Sequence, residues 1–195
     1  LCGIVRRDSG EILLSGRKLT IRRPKDAIKA GICLITEDRK KYALFGERSV
    51  TENVMIISNE LFGGYILKLR EENSSTDTKI GELKIAVSSR SQTVRSLSGG
   101  NQQKTVIARW LLSRAEVFIF DEPTKGIDIG AKEDVYKLIL ELARGGKSVI
   151  MISSDMPELI SMSDRIGVMR NGRLIQVLEG GNVKEEDLIH HFIGM

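Results

Sequence analysis

The chain has 195 residues, of which 41% are hydrophobic and 29% are charged, a composition typical of a globular domain. Its formal net charge is +4, but 26 acidic residues are interspersed with the basic ones, so no nucleic-acid partner is implied. No apolar run approaches the roughly 20 residues that cross a bilayer, and the pattern of a secretory leader is lacking. Cys2 and Cys33 lack metal-ligand spacing and indicate a reducing compartment.

The first quarter of the chain predicts short strands and one short helix. Residues 11–14 read as a strand closed by Ser15-Gly16, and Pro24 begins a helix that continues to Ala30. A second strand is predicted over 32–35. The charged run over 37–41 that follows is by itself typical of a solvated loop.

Residues 51–95 carry weaker signals. Thr51-Glu52-Asn53-Val54 can cap and start a helix, whereas residues 60–69 mix Gly63-Gly64 with apolar side chains. Residues 71–79 are polar and rich in serine and threonine, so we expect an exposed loop there.

The stretch 97–128 organises the chain. Leu97-Ser98-Gly99-Gly100 precedes apolar residues at helical spacing, which places the glycines at a helix N-terminus. Free backbone N–H groups and the helix dipole attract an anion there, and we expect a phosphate. An ordinary serine N-cap followed by loop glycines is the alternative reading of the turn alone.

The apolar run over 117–120 predicts a strand buried on both faces, and it ends at Asp121-Glu122-Pro123. Open α/β sheets bind ligands at the carboxyl ends of their strands. One carboxylate there can hold the water shell of Mg²⁺, and the other can orient a water for attack on a phosphoryl group. A solvated strand end would show the same triplet, so the prediction depends on its combination with the preceding turn.

The remainder predicts alternating helices and strands. An amphipathic helix over 131–143 presents one apolar face, made of Val135, Leu138, Ile139 and Leu142. The elements expected after it are a buried strand over 148–152, a helix over 155–161, a hairpin of 165–169 and 174–177 around Asn171-Gly172, and a helix over 185–192. This order favours right-handed crossovers and a mostly parallel sheet.

LSGGNQQK followed by FIFDEPTKGIDIGAK resembles the signature motif, Walker B motif and D-loop of an ATP-binding-cassette (ABC) ATPase. The segments EDRK (37–40), GNQQK (100–104) and GIDIGAK (126–132) most resemble those of one subclass: the second nucleotide-binding half of the duplicated ATPase subunits of bacterial monosaccharide importers. The resemblance implies an α/β fold of the P-loop NTPase type, with a mostly parallel RecA-like sheet and a helical subdomain. We therefore expect residues 1–195 to form a single partial ABC domain, with the helical subdomain at approximately 51–110.

The resemblance also implies the cofactors ATP and Mg²⁺ and a set of site residues. Glu122 takes the catalytic role, and Asp121 holds Mg²⁺ through water, with Glu37 as a weaker ligand. Glu37 stands where the family usually has a glutamine, and Ser154 replaces the switch histidine that contacts the γ-phosphate. The expected nucleotide contacts are Ser98, Gly99, Gly100, Gln102, Asp121, Asp128 and Glu37.

The P-loop pattern G-x-x-x-x-G-K-[S/T] does not occur in these residues. Gly146-Lys147-Ser148 matches only its end, because Glu141 stands at the first glycine position and a strand follows. In the family the P-loop lies just before the segment that begins here at Leu1. We therefore expect a domain without the P-loop strand and helix, inactive in isolation and prone to self-association through uncovered apolar surface.

The function implied is an energy-coupling subunit of a monosaccharide importer. The expected partners are membrane-spanning permease subunits and another ABC nucleotide-binding domain, whose ATP the signature turn would contact in trans. The expected location is the cytoplasmic face of the inner or plasma membrane. Two alternatives stay open: a non-catalytic dimerisation or regulatory module, and an ABC ATPase that acts on nucleic acid or ribosomes.

Overall fold

Three strands form the central sheet, in the order β3 (Ile32–Ile35), β4 (Val117–Asp121) and β5 (Ser148–Ile152). β3 runs parallel to β4, with Ile35 opposite Phe120. The apolar residues of β4 are all buried, and the rings of Phe118 and Phe120 stack with centroids 6.3 Å apart. The predicted strand buried on both faces is therefore confirmed.

The computed structural model describes residues 1–62, 69–181 and 183–193, so Gly63-Gly64 lies outside the described residues. Contacts within the chain separate two compact units, Leu1–Ile150 and Met151–Met195. The single partial domain with a helical subdomain stays a prediction. In the described ranges, no helix is both long enough and apolar enough to cross a membrane.

The first unit begins with an antiparallel hairpin of β1 (Ile12–Leu14) and β2 (Arg17–Leu19), whose connecting Ser15 and Gly16 have φ of 49° and 75°. Positive φ at both central residues is the mark of the two-residue turn that matches strand twist. The described helices of this unit are α1 (Pro24–Lys29), α2 (Arg39–Tyr42), α3 (Val50–Phe62), α4 (Leu69–Glu82), a 3₁₀ turn (Val94–Ser96), α5 (Gly99–Leu112) and α6 (Ile129–Arg144).

The helices α3, α4 and α5 and the loops between them share an apolar cluster. Its buried members are Val50, Val54, Met55, Ile85, Val94, Leu97 and Ala108. This cluster lies within the expected helical subdomain, whose boundaries stay a prediction.

The expected loop over residues 71–79 is wrong, because these residues lie in α4. Thr76 Oγ1 donates to the carbonyl oxygen of Glu72 at 2.8 Å, and Thr78 Oγ1 donates to that of Ser74 at 2.9 Å. Such bonds to the residue four positions earlier let threonine remain inside a helix. α4 is rich in polar residues, and its buried side chains are Glu72 and Thr76, which lie four residues apart on one side of the helix.

The expectation that β5 is buried is also wrong, although the strand itself is confirmed. The side chains of Ile150 and Ile152 are 41% and 50% exposed. The exposed residues Ser148, Ile150 and Ile152 alternate along β5 and therefore share one face, which the described part of the chain leaves open to solvent.

The predicted apolar face of α6 is confirmed. Val135, Leu138, Ile139 and Leu142 are all buried, at the i, i+3, i+4 and i+7 spacing that puts side chains on one side of a helix.

The second unit contains α7 (Met156–Met162), β6 (Arg165–Arg170), β7 (Arg173–Glu179) and α8 (Glu185–Ile193). β6 and β7 form the predicted antiparallel hairpin, and Asn171 and Gly172 between them have φ of 50° and 74°. Its described core is a cluster of Ile166, Val168 and Leu188.

Candidate active site

The turn before α5 is held by a serine cap and by an asparagine. Ser98 is exposed, and its Oγ accepts hydrogen bonds from the backbone N of Asn101 at 3.4 Å and from Asn101 Nδ2 at 2.9 Å. Asn101 Oδ1 in turn accepts from the backbone N of Ala86 at 2.8 Å. The turn is thus braced from the loop after α4, with the positive end of the α5 dipole at its surface.

The two glycines of the turn lie against other parts of the first unit. A Cβ placed on Gly99 would lie 2.7 Å from Arg39 Nη2 and 3.2 Å from the carbonyl oxygen of Gly126. A Cβ on Gly100 would lie 2.9 Å from Cβ of Ala131 in α6. The sequence suggested that small residues admit an anion here, and packing supplies a second reason for both glycines.

Replacement of Gly100 by alanine is expected to lower the free energy of unfolding by about 1–3 kcal/mol, because the two Cβ atoms would overlap. The double variant Gly100→Ala, Ala131→Gly removes the overlapping atom and should recover most of this loss. Urea unfolding of the parent chain, both single variants and the double variant measures the coupling. Additive effects of the two substitutions would contradict the close packing of α5 on α6.

Gln102 is buried in α5. Its Nε2 donates to the carbonyl oxygens of Val94 and Leu97, each at 3.2 Å. This side chain therefore supports the turn from within, whereas the resemblance suggested a contact with nucleotide.

Three carboxylates gather after β3 and β4. Asp121 ends β4, and burial followed by the negative charges of Glu37 and Glu122 raises the pKa of its carboxyl group. Lys125 Nζ lies 2.7 Å from Glu37 Oε1, and this contact raises the pKa of Lys125. The charge run over 37–41 is therefore more than a solvated loop, since Glu37 faces the end of β4.

This carboxylate cluster suits a cation bound mainly through other ligands. In the described part of the chain, no group of three acidic, histidine or cysteine side chains is arranged to hold a metal ion directly. Mg²⁺ usually keeps several waters and takes only one or two carboxylates together with substrate phosphates. Burial is the main cause of the raised pKa of Asp121, and the negative charges of Glu37 and Glu122 add to it. A nearby cation would relieve that repulsion, so the residues fit Mg²⁺ in that manner.

The loop between β4 and α6 carries Asp128. Its carboxylate caps α6 by accepting a hydrogen bond from the backbone N of Ala131, at 2.9 Å. Asp128 is exposed, so this bond fixes the carboxylate while leaving it open to solvent.

Sequence reasoning missed two buried arginines, one beside the turn and one inside α5. Arg39 donates to the carbonyl oxygens of Lys125 and Gly126, and Arg109 in α5 donates to oxygens of Ala43 and Asn53. Both are among the buried charged residues, and burial lowers the pKa of each. The EDRK wording contains Arg39, but its burial had no signal in the local pattern.

Ser154 lies in the second unit, exposed, between β5 and α7. Neighbouring Ser153 Oγ donates to Glu158 and accepts from the backbone N of Asp155. A cavity of about 390 Å³ in this unit is lined by both serines and by apolar side chains that include Met156, Ile166 and Leu188.

A braced turn at a helix N-terminus and two carboxylates at the end of a buried parallel strand define a protein of the α/β P-loop NTPase fold class. Two solved structures share the fold over most of the chain. One ATP-binding cassette of an ABC transporter has a TM-score of 0.77 at 24% identity, covering 97% of this chain and 75% of the other. A nucleotide-free ATP-binding cassette has a TM-score of 0.77 at 22% identity, covering 100% and 77%.

The chain belongs to the ABC transporter family, whose pattern matches residues 1–125. A ribose import ATP-binding protein of Rubrobacter xylanophilus is 50% identical over 93% of this chain and 37% of its own length. An arabinose import ATP-binding protein of Burkholderia thailandensis is 44% identical over 96% of this chain and 38% of its own length. The chain thus spans well under half the length of these relatives.

Proposed function

We propose that the chain is part of the ATP-hydrolysing, energy-coupling subunit of an ABC importer of a monosaccharide. The observation that carries the proposal is the Asp121-Glu122 pair at the end of β4, beside the loop that leads to α6. The names of the relatives, which are ribose, arabinose and galactose import ATP-binding proteins, support a sugar as the transported substrate.

Asp121 and Glu122 have different roles in this proposal. Glu122 orients and polarises the water that attacks the γ-phosphate. Asp121, with Glu37 as a weaker contact, would hold Mg²⁺ through water. When bound, Mg²⁺ neutralises negative charge on the phosphates. Ser154 donates a hydroxyl hydrogen bond to phosphate in place of the switch histidine, without an imidazolium charge.

The turn acts on ATP held by a second nucleotide-binding domain. Ser98 and the backbone N–H groups of Gly99 and Gly100 face that domain's γ-phosphate, where the α5 dipole adds positive potential. Gln102 and Asp128 keep the turn and the following loop in shape. The P-loop pattern, which would cradle ATP in this chain's own half-site, does not occur among the 195 residues.

The proposed partners are membrane-spanning permease subunits and that second nucleotide-binding domain. The subunit would lie peripherally on the cytoplasmic face of the membrane, where ATP is available. The exposed isoleucines of β5 support a tendency of the chain to self-associate when it is alone.

Sugar uptake by proteoliposomes that contain the assembled importer tests this function. Ser98→Arg is expected to lower ATP-driven uptake of labelled ribose or arabinose by about 10²-fold, because a long side chain would obstruct the phosphate at the turn. Ser9→Arg, at an exposed position before β1, is the matched control and should leave uptake unchanged. The proposal fails if the unmodified importer takes up none of the sugars ribose, arabinose and galactose, or if the importer that carries Ser98→Arg takes up sugar at the control rate.

A further inference from the structure

Arg39 stands in a run of charged residues, yet it is only 7% exposed. Its Nη1 donates to the carbonyl oxygen of Lys125 at 3.2 Å, and its Nη2 donates to that of Gly126 at 3.3 Å. The guanidinium group therefore holds two consecutive carbonyls of the loop that follows the Asp121-Glu122 pair.

The same guanidinium group lies against the turn before α5. Its Nη2 is so near Gly99 that a Cβ at that residue would be 2.7 Å away. One side chain thus contacts the turn and the loop after β4, and it starts two residues after Glu37 of the carboxylate cluster.

The charge of Arg39 is placed unfavourably for a purely structural role. Its described hydrogen bonds are to neutral carbonyls, and its buried Nε has no hydrogen-bond partner among the described residues. It also lies beside the N-terminus of α5, where the helix dipole is positive. Burial lowers the pKa of Arg39 more than the negative charge of the preceding Asp38 raises it, so this cation is only partly compensated and a further anion near the turn would stabilise it.

We propose that Arg39 is a positioning residue that locks the turn of Ser98 to Gly100 to the loop carbonyls of Lys125 and Gly126. Its charge also adds positive potential behind the turn for the phosphate that the turn receives. The first part rests on contacts within this chain, and the second part rests on the function proposed above. Arrival of a phosphate at the turn is thereby transmitted to the loop that connects β4 to α6.

Amide hydrogen exchange of the chain tests the contact without any activity. Arg39→Met is expected to raise exchange locally, in residues 97–101 and 124–128, because both segments lose the same anchor. Lys40→Met, at the exposed neighbouring position, is the matched control and should change neither segment. A uniform rise throughout the first unit, or a rise in only one of the two segments, would overturn the proposed coupling.

Steady-state ATP hydrolysis by the assembled ATPase tests the role in the reaction. Arg39→Met is expected to lower kcat by about 10²-fold, as small misplacements of catalytic groups do, with KM for Mg-ATP within about threefold. Arg39→Lys keeps the charge without the two-pronged donor and should recover part of kcat. If kcat of Arg39→Met equals that of the parent ATPase, the inference is wrong. If the parent ATPase is itself inactive, the proposed function is wrong, and the hydrogen-exchange test of the Arg39 contacts still applies.

Discussion

Glu122→Gln in the assembled ATPase is expected to lower ATP turnover by about 10²- to 10⁴-fold, the usual contribution of a general base, while ATP binding persists. Glutamine keeps the size of the side chain but cannot accept a proton from the attacking water. Glu116→Gln is the matched control, because Glu116 is an exposed glutamate just before the same strand, paired with Lys147 at 2.9 Å. Phosphate release and equilibrium ATP binding measure the two quantities, and equal turnover in both variants would contradict the role of Glu122.

The backbone of Glu122 offers an independent check on this assignment. Its φ is 50°, in the left-handed region that costs a residue with a Cβ about 1–2 kcal/mol. Glu122→Gly should therefore raise the free energy of unfolding by about 1 kcal/mol while abolishing turnover. Loss of both stability and activity would show that the carboxylate also holds the fold.

Arg109→Met is expected to lower the free energy of unfolding by about 3–5 kcal/mol, because buried acceptors would lose their donor. Arg109 is 5% exposed, and burial lowers its pKa to about 10. Its Nε and Nη1 donate to the carbonyl oxygens of Asn53 and Ala43, both at 2.6 Å, and its Nη2 donates to Asn53 Oδ1 at 3.2 Å. The side chain thereby joins α3 and the loop before it to α5.

Urea unfolding of the chain measures this effect. Arg95→Met is the matched control, since Arg95 is exposed and makes an ion pair with Glu47, and such surface pairs contribute roughly 0–1 kcal/mol. Equal shifts of the two unfolding midpoints would show that Arg109 does not anchor α3. A lack of recovery in Arg109→Lys would indicate that the geometry of the guanidinium donors matters more than the charge.

The sequence predicted elements whose apolar pattern is strong. β4 is a continuous buried run, α6 has four apolar residues on one face, and the hairpin of β6 and β7 has an Asn-Gly turn. It failed for α4, because serine and threonine favour loops by composition while their hydroxyl bonds within the helix depend on a conformation already formed. It failed for the burial of β5, because an apolar run does not specify which segment, if any, covers each face of the strand.

The candidate site was predictable in its motifs and less so in its supports. Asp121 and Glu122 follow directly from the end of an apolar run, and Glu37 was placed by the resemblance. Asn53 has no exposed surface, and its Nδ2 donates to the carbonyl oxygens of Phe45, Arg48 and Ser49. The local sequence pattern does not predict either the burial of Asn53 or these bonds. Buried polar residues are specified by the partners that satisfy them, and those partners are brought together only by the fold.

The position of the single tryptophan makes the chain its own optical reporter. Trp110 is buried in α5, next to Arg109, and residues 151–195 contain no tryptophan or tyrosine. Its fluorescence emission therefore reports the unfolding of α5 and does not respond to unfolding that is confined to the second unit. Comparison of emission with far-ultraviolet circular dichroism along one melting curve would show whether the two units unfold as one cooperative system.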